Sequence, residues 1–333
     1  MGFLVLTAVF LGVALVTVLV TWGIIGLLRR WRILDLPNKR SSHDIPTPRG
    51  GGLAVIPVVL VCWVALSLLP ITESDNILTL SVAGGALVLA FVSWIDDLKG
   101  VSSVIRLIIQ YLVVIVILAL PSNSQLTFQG LAPFWLDKIL TAVIWVWFIN
   151  LFNFMDGIDG IASVETLSIG IGITLLAETV EWHSLGQYQA LVLAGAAVGF
   201  LWWNWSPAKV FFGDVGSVPL GFLLGWLLLN LAGHGFWVPA IILPLYYLVD
   251  ASLTLFERLA RGEKIWEAHR SHYYQQAVQK GLSHAHVSRS ILTGNVALVG
   301  LSITSIHAPV TGLIGAAAVV FVMLLYFKHK PNR

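Results

Sequence analysis

Thr141-Ala-Val-Ile-Trp-Val-Trp-Phe148 runs into Asn150-Leu-Phe-Asn153-Phe-Met-Asp156-Gly-Ile-Asp159-Gly160, and the chain is apolar again from Ile161. An α-helix needs ~20 apolar residues to cross a bilayer, so the stretch reads as one span ending, a polar turn, and the next span beginning. Acids at such a boundary are expensive and mark a functional site by default. An Asp-Gly pair also makes an ordinary turn, but a turn needs one such pair. Here two pairs follow two asparagines at helical spacing, which favours a functional reading.

The same alternation continues in both directions. The chain has 333 residues, of which 57% are hydrophobic and 11% charged, with 14 Trp. Soluble domains carry about a quarter charged residues, so the composition predicts an all-α, polytopic integral membrane protein. Eleven spans are expected, near 3–28, 52–69, 77–95, 104–120, 138–153, 161–178, 188–203, 217–232, 236–255, 290–306 and 309–327. The run from Phe3 to Leu28 is too long for a signal-peptide core and precedes Arg29-Arg30, so it reads as a retained helix. Cys62 stands alone and cannot form an intramolecular disulfide. No internal repeat is visible, which argues against a transporter built from duplicated halves.

Lysine and arginine give the orientation, because they collect on the cytoplasmic side of a bilayer. Cytoplasmic loops near 29–51, 96–103, 154–160, 204–216 and 256–289, with Arg106 and the tail from Lys328, hold 18 of the 19. An N-terminus outside (periplasmic in a bacterium) and a C-terminus in the cytoplasm satisfy this bias, with residues 1–333 as one transmembrane domain. Asp96-Asp97, the Asn150–Gly160 stretch, Asn204, Asp214 and His269–His272 then share the cytoplasmic face. The expected location is a cell membrane, with these motifs facing the cytoplasm.

Each motif suggests chemistry. Asp35-Leu-Pro-Asn-Lys39-Arg-Ser-Ser-His43-Asp-Ile-Pro-Thr-Pro-Arg49-Gly-Gly-Gly52 is stiffened by proline, and its cations suit lipid headgroups or a phosphorylated substrate. Asp96 and Asp97 end a helix, where the dipole disfavours acids; one can serve as general base and the other can hold a metal or a cation. Arg106 and Gln110 lie one turn apart on the next helix. Asp214, between Gly213 and Val215-Gly216, opens a span, where it can cap the helix or approach an anionic ligand. Oxygen donors without a zinc-type Cys/His pattern point to Mg²⁺, with Mn²⁺ as the alternative. His269-Arg270-Ser-His272 mixes cations with hydrogen-bonding groups suited to a sugar or a phosphate. His284 and His286 read as ordinary surface residues.

In this order the motifs resemble the bacterial polyprenyl-phosphate N-acetylhexosamine-1-phosphate transferases. The resemblance covers nearly the whole chain. It implies transfer of a sugar 1-phosphate from a UDP-N-acetylhexosamine to undecaprenyl phosphate, with Mg²⁺ and release of UMP. It places Asn153 and Asp214 on the metal, and Asp96 and Asp97 on the lipid phosphate as the catalytic pair. Arg106 falls on the diphosphate, Asn204 on the uracil, and Asp159 in the nucleotide pocket, beside Asn150 and Asp156. Lys39 and His43 become first-loop contacts, and His269, Arg270 and His272 the family's His/Arg motif. The translocase of peptidoglycan synthesis has consecutive histidines there; His-Arg-Ser-His departs from it. The chain looks closer to the O-antigen (lipopolysaccharide) initiating branch, whose donor is UDP-GlcNAc or a 6-deoxy sugar such as UDP-FucNAc or UDP-QuiNAc. Membrane lipids surround such a protein, a homodimer is compatible with it, and no nucleic acid takes part. The alternative from another class is a secondary transporter with acids at its cytoplasmic loop mouths.

Overall fold

The computed structural model describes residues 3–37, 45–69, 76–121, 123, 125–181, 184–264 and 269–329. Among them the chain is a bundle of thirteen helices with one short hairpin. In order these are α1 (Phe3–Arg30), β1 (Leu34–Asp35), β2 (Thr47–Pro48), α2 (Gly52–Ser67), α3 (Asn76–Lys99), α4 (Ser103–Leu118), α5 (Phe134–Met155) and α6 (Ile161–Thr179). There follow α7 (Leu185–Asn204), α8 (Asp214–Gly233), α9 (Trp237–Ile242), α10 (Leu245–Ala260), α11 (Tyr273–Gln279), α12 (His284–Thr304) and α13 (Pro309–His329). Eight of them, α1, α3, α5 to α8, α12 and α13, are long and apolar enough to cross a membrane. The chain is an all-α polytopic membrane protein.

Three expected spans differ from a simple crossing. Helices α2 and α4 have 16 residues each, about 24 Å at 1.5 Å per residue and short of a ~30 Å hydrocarbon core. The span expected at 236–255 is not one helix; it breaks between α9 and α10 at Leu243-Pro244. Proline there has no amide to donate and its ring crowds the carbonyl one turn back, which ends α9. The loop expected at 256–289 contains α11, whose start has a capping box between His272 and Gln275.

Helix α8 is the axis. It packs on α2, α3, α5 and α9, and most of its side chains are buried. A side chain at Gly221 would meet the Ile149 backbone, and one at Gly225 the Trp145 ring, so these glycines let α5 and α8 approach closely. Trp145 then stacks on Phe222 at 4.8 Å and donates its indole N–H to the Phe222 carbonyl. At the N-terminal end of α8, Gly52 of α2 lies against Gly216, and a Cβ at Gly52 would sit 2.2 Å from the Gly216 Cα.

That close approach positions the first loop. Strands β1 and β2 pair antiparallel, and the chain leaves β2 through Arg49 into the glycine triplet. Phe211 and Phe212 accept from the amides of Gly50, Gly51 and Gly52 through their carbonyls, and Phe211 donates to the Pro48 carbonyl. Residues 48–52 are thereby clamped along 211–213, leaving Arg49 beside the start of α8.

Candidate active site

Four helix ends meet at one end of the bundle: the C-termini of α3 and α5 and the N-termini of α4 and α8. They bring together Asp96, Asp97, Arg106, Asn150, Asn153, Asp156 and Asp214, which are far apart in sequence. Arg49 arrives from the clamped first loop. Its Nη2 lies 2.7 Å from Asp97 Oδ1 and 3.1 Å from Asp214 Oδ1. Arg106 Nη1 bridges Asp96 and Asp214 Oδ2, the latter at 3.0 Å. Two guanidiniums thus cross-link three carboxylates. Burial works against the Arg49 charge, but Asp97, Asp214 and Asp35 outweigh it and push the guanidinium pKa further up.

The two adjacent aspartates are more enclosed than Asp214. Asp97 is 1% exposed and accepts from the amides of Asp214 and Val215 at 3.1 and 3.0 Å. It caps α8, so an acid at the unfavourable end of one helix dipole stabilises the favourable end of another. Asp96 is 10% exposed and takes the Val101 amide as well as Arg106. Asp214, at 19%, is more open than either.

Asp156 follows the last residue of α5. Among the described residues its carboxylate has neither a hydrogen-bond nor an ion-pair partner. Burial pushes it up to about 7, with Asp214 and Asp97 adding to the rise against Arg49. An unpartnered carboxyl beside other acids is short of positive charge. Asn153 donates to Asp214 Oδ1 at 3.3 Å and to Ser217 Oγ at 2.8 Å, and Asn150 donates to Gln110 Oε1 at 2.7 Å. Among the described residues no group of three or more His, Cys, Asp or Glu forms a protein-only metal cage. Two carboxylates and a carboxamide instead fit Mg²⁺, which takes one or two carboxylates and fills its shell with water and phosphate oxygens.

Beside this cluster a cavity of about 490 Å³ opens between α3, α4 and α5. Its wall is mostly apolar, with Arg106, Gln110, Asn150 and Asn153 at the polar end. A second cavity of about 670 Å³ continues along α4 and α5, sharing Tyr111 and Val143 with the first. Together they make a greasy groove with an arginine at its head.

The other predicted site residues divide. Asp159 is nearly buried and pairs with His284 Nδ1 at 3.2 Å. Burial pushes its carboxyl up, but His284 and the Ala208 amide outweigh that and hold it below the usual range. His284 is thus no ordinary surface residue. Asn204 is 3% exposed: its carbonyl accepts from the Gly160 amide and Ser163, and its amide donates to the Val210 carbonyl. Through these contacts it braces the 157–160 turn. His272 is buried against Asp250, whose carboxylate also accepts from Tyr246 and from the Tyr273 and Tyr274 amides. The His269 ring lies tilted against His272 at 4.8 Å, and burial, His272 and Arg258 push it down to about 4. Arg270 is half-buried, with its Nε atom inside the protein. Lys39 and His43 lie outside the described residues.

Sequence reading missed three of these assignments. Arg49 was legible as a cation among stiff residues, but its partners come from α3 and α8. Asp250 is an acid inside an apolar helix, a signal of the same kind as Asp156. His284 had no local signal, because its partner is 125 residues away.

The family model for glycosyl transferase family 4 matches residues 79–232, from α3 to α8 and so across Asp96, Asp97, Arg106, Asn150–Asp159 and Asp214. A probable undecaprenyl-phosphate N-acetylglucosaminyl 1-phosphate transferase of Bacillus subtilis is 27% identical over 82% of this chain and 77% of its own. A decaprenyl-phosphate N-acetylglucosaminephosphotransferase of Mycobacterium leprae is 28% identical over 95% and 88%. A phospho-N-acetylmuramoyl-pentapeptide-transferase of Orientia tsutsugamushi is 28% identical over 61% and 66%. Over its matched region and along most of its length, the chain is similar to polyprenyl-phosphate hexosamine-1-phosphate transferases.

Proposed function

We propose that this protein transfers an N-acetylhexosamine 1-phosphate from a UDP-sugar to undecaprenyl phosphate at the cytoplasmic face of the bacterial inner membrane. The observation that carries this is the junction of the Arg/Asp cluster with the apolar groove along α4 and α5. A polyprenyl chain lying in that groove would present its phosphate to Arg106. A lipid-phosphate oxygen attacks the phosphorus that bears the sugar, the bond from that phosphorus to the bridging oxygen breaks, and UMP leaves. The lipid monoester has a second pKa of about 6, so it is largely ionised near neutrality and little base strength is needed. Mg²⁺, held by Asp214, Asn153 and Asp156, would neutralise charge on the diphosphate. Asp96 and Asp97 act by holding Arg106, Arg49 and the start of α8 in place.

Direct attack is favoured over an aspartyl-phosphate: the enclosed pair Asp96 and Asp97 presents no free oxygen. Relatives named for N-acetylglucosamine make UDP-GlcNAc the first donor to try, ahead of the 6-deoxy donors, with initiation of O-antigen or a related surface polysaccharide as the role. Lysine and arginine placement supports the cytoplasmic face. The test is UMP release by the purified chain with Mg²⁺, undecaprenyl phosphate and a panel of UDP-sugars. No release with any donor rejects the reaction. A burst of UMP with donor alone rejects direct attack.

A further inference from the structure

Helices α6 and α12 flank the Asp159 turn and share a ladder of polar contacts. His284 meets the Asp159 carboxylate, and one turn on, Ser288 Oγ donates to the Asp159 carbonyl at 2.8 Å. Two turns further, about 10 Å deeper at 1.5 Å per residue, Asn295 Nδ2 donates to Glu165 Oε2 at 2.7 Å. Glu165 and Asn295 are 0% and 1% exposed. The other two atoms of this contact, Glu165 Oε1 and Asn295 Oδ1, are both buried and without a hydrogen-bond partner. Among the described residues no cation faces Glu165: Asn295 is on α12, the Tyr247 hydroxyl on α10 is within electrostatic range, and α5, α7 and α8 present no charged group to it. An ionised carboxylate there would be a buried, unpaired charge next to a second bare acceptor, which is the costliest arrangement available.

We propose that Glu165 is held as a neutral carboxylic acid whose hydroxyl donates to Asn295 Oδ1, closing an acid–amide pair that fixes α12 against α6. One proton satisfies both orphaned oxygens at once. The pair is the deepest rung of the ladder, and Glu165 and Asn295 are positioning residues for the Asp159–His284 wall. Ionising Glu165 turns donor into acceptor and opens the pair, whereas glutamine at this position reproduces the donor and acceptor of the neutral acid.

The test is infrared difference spectroscopy of the full-length protein in detergent, comparing wild type, Glu165→Gln and Asn295→Leu near neutral pH. A carboxylic-acid C=O band that is lost in Glu165→Gln and moves to higher frequency in Asn295→Leu is expected. A wild-type difference containing only carboxylate bands overturns the neutral acid. If Glu165→Gln does not accumulate, an unmoved C=O band in Asn295→Leu overturns the pairing. Hydrogen exchange at residues 157–160 and 284–288 should be faster in Glu165→Ala and return to the wild-type rate in Glu165→Gln. Equal rates in all three overturn the positioning role. None of these readouts uses the transfer reaction, so they stand or fall apart from the proposed function. Where that function holds, Glu165→Ala raises KM for the nucleotide donor more than it lowers kcat, and Glu165→Gln restores it.

Discussion

Arg106 is the one side chain that both cross-links the acids and lines the groove, so Arg106→Ala is the most informative single change. It removes the contacts to Asp96 and Asp214 and leaves Arg49 as the only described cation of the cluster. Breaking a fully buried ion pair costs ~3–5 kcal/mol and an exposed one ~0–1. Arg106 is 32% exposed and Asp214 19%, which places the stability loss at roughly 1–2 kcal/mol, between those limits. The loss in function should be larger. A charged hydrogen bond to phosphate contributes ~1.5–3 kcal/mol, so kcat/KM for the lipid phosphate should fall ~10–150-fold. Arg106→Lys should recover part of this, since lysine restores the charge without the planar fork. The assay is UMP release with lipid phosphate and nucleotide donor varied in turn. If lipid kcat/KM in Arg106→Ala matches the wild type, the assignment of the groove's head is wrong.

Four further outcomes follow from the geometry. Asp156 has a folded-state pKa of about 7 against an ordinary value near 3.8; its stabilising contribution is complete below the ordinary value and is lost as pH rises through about 7. Asp156→Asn should therefore be more stable than wild type at pH 8, and not at pH 4, in thermal unfolding with EDTA present; a pH-independent difference contradicts this. Asp250→Ala strips the acceptor from His272, Tyr246 and the first amides of α11, and should cost ~2–4 kcal/mol, seen as lower thermal midpoint and faster proteolysis between residues 261 and 283. Gly52→Ala forces a methyl to 2.2 Å from the Gly216 Cα and should abolish turnover by displacing Arg49, while Gly84→Ala, which meets nothing within 4 Å, should be neutral. Asp214→Asn should raise the Mg²⁺ concentration needed for half-maximal residual turnover; an unchanged titration removes Asp214 from the metal site.

The fold was legible because bilayer spans are written in composition. Ten of the eleven expected spans correspond to single helices, within a few residues at most ends. The exception turned on Pro244: hydropathy averages over 236–255 and does not register one missing amide. The cluster was legible as well, since acids bordering apolar runs have few innocent explanations. What was not legible was which acid does what. Asp96 and Asp97 looked available because nothing in the sequence says that α8 begins against them. Nor was it legible that Asn204 and Asp159 find their partners, Ser163 and His284, on other helices. Glu165 sits in an apolar helix and carries no motif; only its pairing with Asn295 gives it meaning.

The central claim is that phosphorus travels with the sugar. The direct measurement uses UDP-GlcNAc carrying ³²P in the sugar-linked phosphate and ³H in the sugar, incubated with the protein, Mg²⁺ and undecaprenyl phosphate, then partitioned between organic solvent and water. Both labels should appear together in the lipid phase, in equal molar amounts, with UMP in the water. Tritium in the lipid with the ³²P left behind as UDP would contradict that claim.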